Sequence, residues 1–133
     1  MDGLTACVNL IVDALRLVWP GSALDADDLR PATGNYILFE SSRIVALLAH
    51  LRQGSIRVAD GDAVHAGQGV AQVGNSGRSL APHLHLQVMD GRDPPTATII
   101  PFRVRAYERW NGASREPVSN GVLEKGERIR YEE

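Results

Sequence analysis

The stretch that decides the fold is Val73–Met89, which reads Val-Gly-Asn-Ser-Gly-Arg-Ser-Leu-Ala-Pro-His-Leu-His-Leu-Gln-Val-Met. It opens with a Gly/Asn/Ser turn and closes with an alternating apolar run, which is typical of a β-strand. Because successive side chains of a strand point to opposite faces, His83 and His85 share one face while Leu84 and Leu86 point into the core. The Cα atoms of the two histidines are expected about 6.6 Å apart, two residues of strand rise. Such a pair suits one metal ligand beside one acid/base residue.

Three segments precede this histidine pair in a characteristic order. They are Ala49-His50-Leu51, then Val58-Ala59-Asp60-Gly61-Asp62-Ala63-Val64, then Ala66-Gly67-Gln68. Together with Pro82–Val88 they resemble the M23, or lysostaphin-type, zinc metallopeptidases, over residues 34–105. The resemblance implies a mainly β fold, an antiparallel β-sandwich or half-barrel. It also implies descent from endopeptidases that cleave the cross-bridge peptides of bacterial peptidoglycan with zinc.

The resemblance also assigns roles to individual side chains. His85 corresponds to the metal ligand of the family's His-x-His pair. His50 and His83 correspond to the catalytic residues that position water and stabilise the oxyanion-like transition state. Arg78 and Ser79, in the loop before the pair, are candidates to line a substrate groove.

The sequence departs from the family at the metal site. Family members take two further zinc ligands from an upstream His-x-x-x-Asp motif, yet no histidine precedes His50 in these 133 residues. A hydrolytic zinc site needs three protein ligands and one open position. Zinc is therefore expected to bind weakly or not at all, and whether the chain is an enzyme stays open. We expect a truncated or degenerate, inactive member. Substitute oxygen ligands are available before position 30, at Asp2, Asp13, Asp25, Asp27 and Asp28.

Two other functions compete with this interpretation. The first is a non-catalytic module that binds cell-wall peptide or a partner protein through the surviving groove. The second is a lipoyl- or biotinyl-type carrier, which the segment Val58–Val73 also resembles. Carriers need a lysine at the hairpin tip, but the tip here is Gly74-Asn75-Ser76-Gly77 and the only lysine is Lys125. A working carrier is therefore strongly disfavoured.

Composition fits one globular domain and limits its partners. The chain has 133 residues and a net charge of −2, so no nucleic-acid partner is predicted. Cys7 is the only cysteine, which excludes an internal disulfide and suits a small buried hydrophobe. The apolar residues 4–19 are interrupted by Asp13 and Arg16, so we expect them to form neither a signal peptide nor a membrane span. The family normally works outside the cytoplasm, but no signal peptide is predicted here, so localisation stays open.

Three parts are predicted along the chain: an N-terminal segment with an acidic loop (1–33), the peptidase-like β domain (34–110) and a C-terminal extension (111–133). For Leu4–Trp19 the apolar period favours a helix, although Cys7-Val8 and Leu10-Ile11-Val12 suit a strand as the alternative. Residues 22–33 and 111–125 are expected to be loops. Strands are predicted at 36–40, 44–50, 55–58, 67–73, 83–89, 98–105, 104–110 and 127–131.

Overall fold

The computed structural model describes the backbone of residues 5–7 and 15–18, and the whole of residues 29–131. Its single helix in this part is α1, the four residues Arg30–Thr33. The strands are β1 (Thr5–Cys7), β2 (Leu15–Val18), β3 (Asn35–Glu40), β4 (Val45–Leu51), β5 (Ala63–Val64), β6 (Gly69–Gln72), β7 (His85–Met89), β8 (Val104–Trp110), β9 (Arg115–Gly121) and β10 (Ile129–Arg130).

Five strands form the main sheet, in the order β5-β2-β3-β4-β7. A two-stranded sheet pairs β1 with β6, and a three-stranded sheet has the order β10-β8-β9. Every strand pair is antiparallel. The predicted fold class, mainly antiparallel β, is therefore confirmed. Among the described residues, no helix is long and apolar enough to cross a membrane.

The main sheet buries apolar side chains on both faces, because neighbouring strand residues alternate between them. Its first face carries Ile37, Phe39, Ala46, Leu48 and Val88, which pack with Val58, Val64, Val70 and Ala71. Its second face carries Tyr36, Leu38, Val45, Leu47, Ala49 and Met89. As a result, every residue of β4 is buried. Each fully buried leucine or isoleucine contributes about 1.5–3 kcal/mol of transfer free energy.

The helix favoured for Leu4–Trp19 is wrong where the structure describes that segment. Thr5–Cys7 and Leu15–Val18 are strands, and β2 pairs with both β3 and β5. Because β2 pairs on both sides, it lies inside the main sheet, and its backbone groups have partners on both neighbouring strands. A helix in its place would leave the facing edge of β3 unpaired. The rest of that segment, the side chain of Cys7 and the acidic residues of 22–28 lie outside the described part of the chain.

Several element predictions in the rest of the chain are also corrected. Residues 55–58 form no strand, although the backbone N–H of Arg57 donates to the carbonyl of Val70 at 2.9 Å. The strand expected at 98–105 begins only at Val104; Ile99 makes one isolated bridge to Met89. Within the loop expected at 22–33, α1 forms with a proline in its first turn, where no backbone donor is needed.

The largest correction is β9, which lies in the region expected to be a loop. It pairs with β8 from Val104↔Gly121 to Trp110↔Arg115 without a register shift. Strand propensity is low for its Pro, Ser, Asn and Gly residues, so cross-strand contacts outweigh local preference. The expected edge strand at 127–131 is confirmed by β10.

One face of the C-terminal sheet, the face of Tyr107 and Arg109, is called its inner face. It carries a polar network and a pair of tyrosines. Arg109 donates to the Glu116 carboxylate at 2.7 Å and to that of Glu127 at 3.3 Å. The hydrogen bond from Arg109 lowers the pKa of Glu116 and, reciprocally, raises the pKa of Arg109. Burial, followed by the neighbouring Tyr107, raises the pKa of Tyr131.

The division at 1–33, 34–110 and 111–133 stays a prediction. β2, from the first part, pairs with β3 of the second, and β8 pairs with β9 across the boundary at 110. The sheets therefore connect the three parts through strand pairing.

Candidate functional site

His50 reaches the site through a β-bulge near the end of β4. In the β3–β4 register, Ile37 pairs with Leu48 but Asn35 pairs with Leu51, so β4 carries one extra residue. His50 lies in this bulge with φ = 61°. That left-handed conformation is uncommon outside glycine, although histidine adopts it more readily than most residues.

The bulge turns His50 toward the face that carries His85. Ala49 lies directly opposite His85 in the β4–β7 pair, and paired residues share a face. In a regular strand, the residue after Ala49 would point to the other face. Instead, the ring centroid of His50 lies 5.9 Å from that of His85 and 4.6 Å from that of His83. Strand spacing and rise predict that the three imidazoles lie within roughly 8 Å of one another, and this is confirmed for the two ring pairs that include His50.

His83 is held differently from the prediction. β7 begins at His85, and His83 instead makes an isolated bridge with Gly74, its backbone N–H donating to the Gly74 carbonyl at 3.2 Å. His83 and His85 are exposed, whereas His50 is buried. Leu84 and Leu86 pack against the first-face core, as the alternation predicts.

Hydrogen bonds determine which ring nitrogen each histidine presents. Nδ1 of His50 lies 2.8 Å from the carbonyl oxygen of Ser76, and Nδ1 of His83 lies 2.7 Å from that of Ala81. Because a carbonyl only accepts, both Nδ1 atoms carry the proton, and Nε2 of each neutral ring keeps the lone pair. In His85, Nε2 lies 3.2 Å from Oε1 of Gln87, and when Nε2 donates to this oxygen the ring presents Nδ1. In that arrangement two rings present Nε2 and one presents Nδ1.

The two predicted groove residues lie in the loop before His83. The hydroxyl of Ser79 donates to the Ala81 carbonyl at 2.8 Å, and its oxygen lies 3.1 Å from Nδ1 of His83. Ser79 therefore helps to hold the His83 ring. Arg78 is exposed, and its backbone N–H donates to the Ala32 carbonyl at 3.0 Å. Contact of Arg78 and Ser79 with a substrate stays a prediction.

Ser76 and Asn35 join the loop to the bulge, and the sequence analysis missed both. The Ser76 hydroxyl donates to the Leu51 carbonyl at 2.6 Å and accepts the backbone N–H of Asn35 at 3.0 Å. The Asn35 amide also donates to the Leu51 carbonyl, at 3.2 Å. The only available signal was the pair of glycines, Gly34 before Asn35 and Gly77 after Ser76, which is typical of close backbone approach.

We predict that Ser76→Ala lowers the free energy of unfolding by about 1–3 kcal/mol, since it removes two partly buried hydrogen bonds, each worth about 0.5–1.5 kcal/mol. It should also loosen the His50 ring, because the Ser76 carbonyl is the acceptor for Nδ1. The measurements are chemical denaturation and the imidazole ¹⁵N shifts of His50. Ser119→Ala, at an exposed position of β9, is the matched control. Unchanged His50 nitrogen shifts in Ser76→Ala would contradict the positioning role.

The described residues do not provide the family's zinc set. Within the described part of the chain, no group of three or more His, Cys, Asp or Glu side chains is arranged to hold a metal. His85 can offer Nδ1, but the residues that could supply the upstream carboxylate lie outside the described part. By family correspondence, His85 is thus the one zinc ligand identified in this part of the chain.

The antiparallel β fold and the His83-x-His85 pair together are typical of a class of β-sheet peptidase domains. Comparison with known proteins identifies the family within this class. The sequence profile of peptidase family M23 matches residues 18–96, more than half of the chain. The chain belongs to peptidase family M23. No curated protein sequence compared with it matches significantly.

Solved structures agree with the family assignment. The catalytic domain of the antimicrobial peptidase lysostaphin from Staphylococcus simulans is 28% identical, with a TM-score of 0.55 over 74% of this chain and 69% of that domain. A variant catalytic domain of the prophage-encoded M23 protein EnpA from Enterococcus faecalis is 23% identical, with a TM-score of 0.55 over 74% of this chain and 66% of that one. The match to the whole lysostaphin structure covers 71% of this chain but 37% of lysostaphin.

Proposed function

We propose that this M23 domain binds the cross-bridge peptides of peptidoglycan at the floor formed by His50, His83 and His85, and that these 133 residues alone do not cleave them. The observation that carries the proposal is the convergence of three imidazoles, with centroid distances of 4.6 and 5.9 Å from His50 to the other two. The family resemblance supplies the ligand class. Peptidoglycan as the ligand also places the site of action outside the cytoplasm.

The histidines can bind a peptide without a metal. Nε2 of His50 and Nε2 of His83 accept a hydrogen bond from a peptide N–H or from water when the rings are neutral. When a ring is protonated, the same nitrogen donates to a peptide carbonyl. Ser79 keeps His83 in place, and the exposed side chain of Arg78 is available to a carbonyl or carboxylate of the peptide. Binding along this floor is thus consistent with the side chains present.

The lack of cleavage is tested with a cross-bridge peptide assay, with and without added zinc, on the chain and on His85→Ala. We expect no hydrolysis above background in any of the four reactions, because only one of the three family ligands is identified. Zinc-dependent cleavage that disappears in His85→Ala would overturn this part of the proposal. It would show that another donor, such as an N-terminal aspartate or a second chain, completes the metal site.

Binding is tested separately, by titrating the same peptides in the presence of a chelator. His50→Ala and His83→Ala should each weaken binding about tenfold, corresponding to about 1.4 kcal/mol. His65→Ala is the matched control, because His65 is an exposed histidine beyond β5 and outside the site. If the chelated chain binds no peptide, or if His65→Ala weakens binding equally, peptide recognition at this floor is wrong.

The carrier alternative is not favoured by the hairpin tip. A carrier must present its modified side chain outward, yet the Gly74–Gly77 tip here is packed against the backbone of two other segments. A Cβ at Gly74 would lie 2.4 Å from the Arg52 nitrogen, and one at Gly77 would lie 2.2 Å from the Gly34 nitrogen. A side chain at Gly74 or Gly77 would therefore collide with that backbone, and Asn75 and Ser76 offer no amine for attachment.

A further inference from the structure

The outer face of the C-terminal sheet, opposite Tyr107, carries a tryptophan flanked by arginines. Trp110, on the central strand β8, pairs directly with Arg115 of β9. On its other side, the backbone N–H of Trp110 donates to the carbonyl of Arg128 at 2.9 Å. Arg130 of β10 pairs with Glu108, two residues from Trp110 and on the same face. Each neighbouring strand therefore places arginine beside the indole.

These side chains line an open groove rather than a packed core. The groove has a volume of about 270 Å³ and is lined by Glu108, Trp110, Arg115, Arg128, Ile129 and Arg130. Trp110 is 43% exposed, which is unusual for the largest apolar side chain. Tyr107, on the opposite face of the same strand, is buried, with only 3% of its surface exposed. The indole of Trp110 is thus accessible to a ligand, whereas the ring of Tyr107 is not.

The groove is locally cationic, although the whole chain has a net charge of −2. Among the residues that the structure describes, its lining contains three arginines and one carboxylate, Glu108. Glu108 lies 3.6 Å from the Arg115 guanidinium, which leaves two further arginine charges in the lining. On the inner face, Arg109 has two carboxylate partners of its own, Glu116 and Glu127. Arg128 and Arg130 thus give the groove its positive charge.

We propose that this groove binds an anionic saccharide, with one sugar ring on the Trp110 indole and its carboxylate or phosphate on Arg128 and Arg130. An exposed indole offers a flat apolar platform with a polar edge. Guanidinium groups match carboxylate and phosphate oxygens with paired hydrogen bonds. Small-ligand pockets usually measure about 300–1,000 Å³. The groove is slightly smaller than this range, so it suits one sugar residue of a longer strand.

A polynucleotide is a poorer match for the same surface. Single-stranded nucleic acids bind along a basic groove with successive aromatic platforms, one for each base. The groove offers one tryptophan, and the chain as a whole is negative. The proposal concerns the C-terminal sheet and is independent of peptide binding at the histidine floor.

The experiment titrates the 133-residue chain with four probes, using calorimetry and the indole NMR signal of Trp110. The probes are a uronic-acid oligosaccharide, a sugar-phosphate oligomer, a neutral N-acetylglucosamine oligosaccharide and a single-stranded oligonucleotide. We expect one or both anionic saccharides to bind at least tenfold more tightly than the neutral one. The tighter of the two identifies whether carboxylate or phosphate is the preferred anion.

Variants then locate the site. Trp110→Ala, Arg128→Ala and Arg130→Ala should each weaken binding at least fivefold, while Trp110→Phe, which keeps a ring, should retain most of it. Arg43→Ala is the matched control, because it removes the same charge at an exposed turn far along the chain from the C-terminal strands. Equal affinity for the neutral oligosaccharide, tighter binding of the oligonucleotide, or an equal loss in Arg43→Ala would each overturn the proposal.

Discussion

Gly77→Ala is expected to lower the free energy of unfolding by about 2–5 kcal/mol, the sum of a left-handed backbone penalty and an overpacking penalty. Gly77 has φ = 72°, and a Cβ there would lie 2.2 Å from the Gly34 nitrogen and 2.7 Å from the Ala32 carbonyl oxygen. Both contacts are with backbone atoms, which cannot turn aside as a flexible side chain can. Urea denaturation measures the loss.

Gly54→Ala is the matched control for this substitution. Gly54 also has φ = 72°, but a Cβ there would meet nothing within 4 Å. It should therefore lose only the left-handed penalty, about 1–2 kcal/mol. If the two variants lose the same stability, the close approach of the loop to Gly34 is not what limits position 77.

The same substitution should disturb the candidate site. Residue 77 follows Ser76, whose carbonyl holds Nδ1 of His50 at 2.8 Å and whose hydroxyl holds the Leu51 carbonyl at 2.6 Å. Moving the loop away from Gly34 stretches both bonds. The imidazole signals of His50 should shift in Gly77→Ala and stay unchanged in Gly54→Ala.

Leu48→Ala is expected to cost about 2–5 kcal/mol, because it removes a fully enclosed side chain and leaves a cavity. Leu48 has 0% exposure and lies in the first-face core of the main sheet. It pairs with Leu86 in β7, next to His85, so the cavity lies under the strand that carries His85. Thermal or urea denaturation gives the size of the loss.

Leu80→Ala is the matched control, because it removes the same side-chain atoms from a solvent-exposed position. Leu80 is fully exposed in the loop before His83, so its truncation should change the free energy of unfolding by no more than about 0.5 kcal/mol. A loss in Leu48→Ala no larger than that of Leu80→Ala would contradict the position of Leu48 in the core. It would also question the β4–β7 register on which the site depends.

The sequence by itself determined the family, the antiparallel β class and the strands that form the centre of the sheet. Apolar alternation and continuous apolar runs are local signals, so they predicted β3, β4 and β7 closely. The order of the glycine, aspartate and histidine segments was sufficient to indicate M23 and to select His50, His83 and His85. The lack of any histidine before His50 is likewise a property of the sequence alone.

Only the tertiary structure decided how His50 joins the site. Simple alternation from Ala49, which lies opposite His85, would point His50 to the wrong face of the sheet. The bulge that corrects this arises from the register between β3 and β4, and from the Ser76 and Asn35 contacts with Leu51. The same holds for β2, whose apolar period favours a helix and whose partners β3 and β5 lie elsewhere in the chain. β9 differs, because it pairs with the neighbouring β8 although its own strand propensity is low. Strand pairing joins residues distant in sequence, and local periodicity carries no information on which of them will meet.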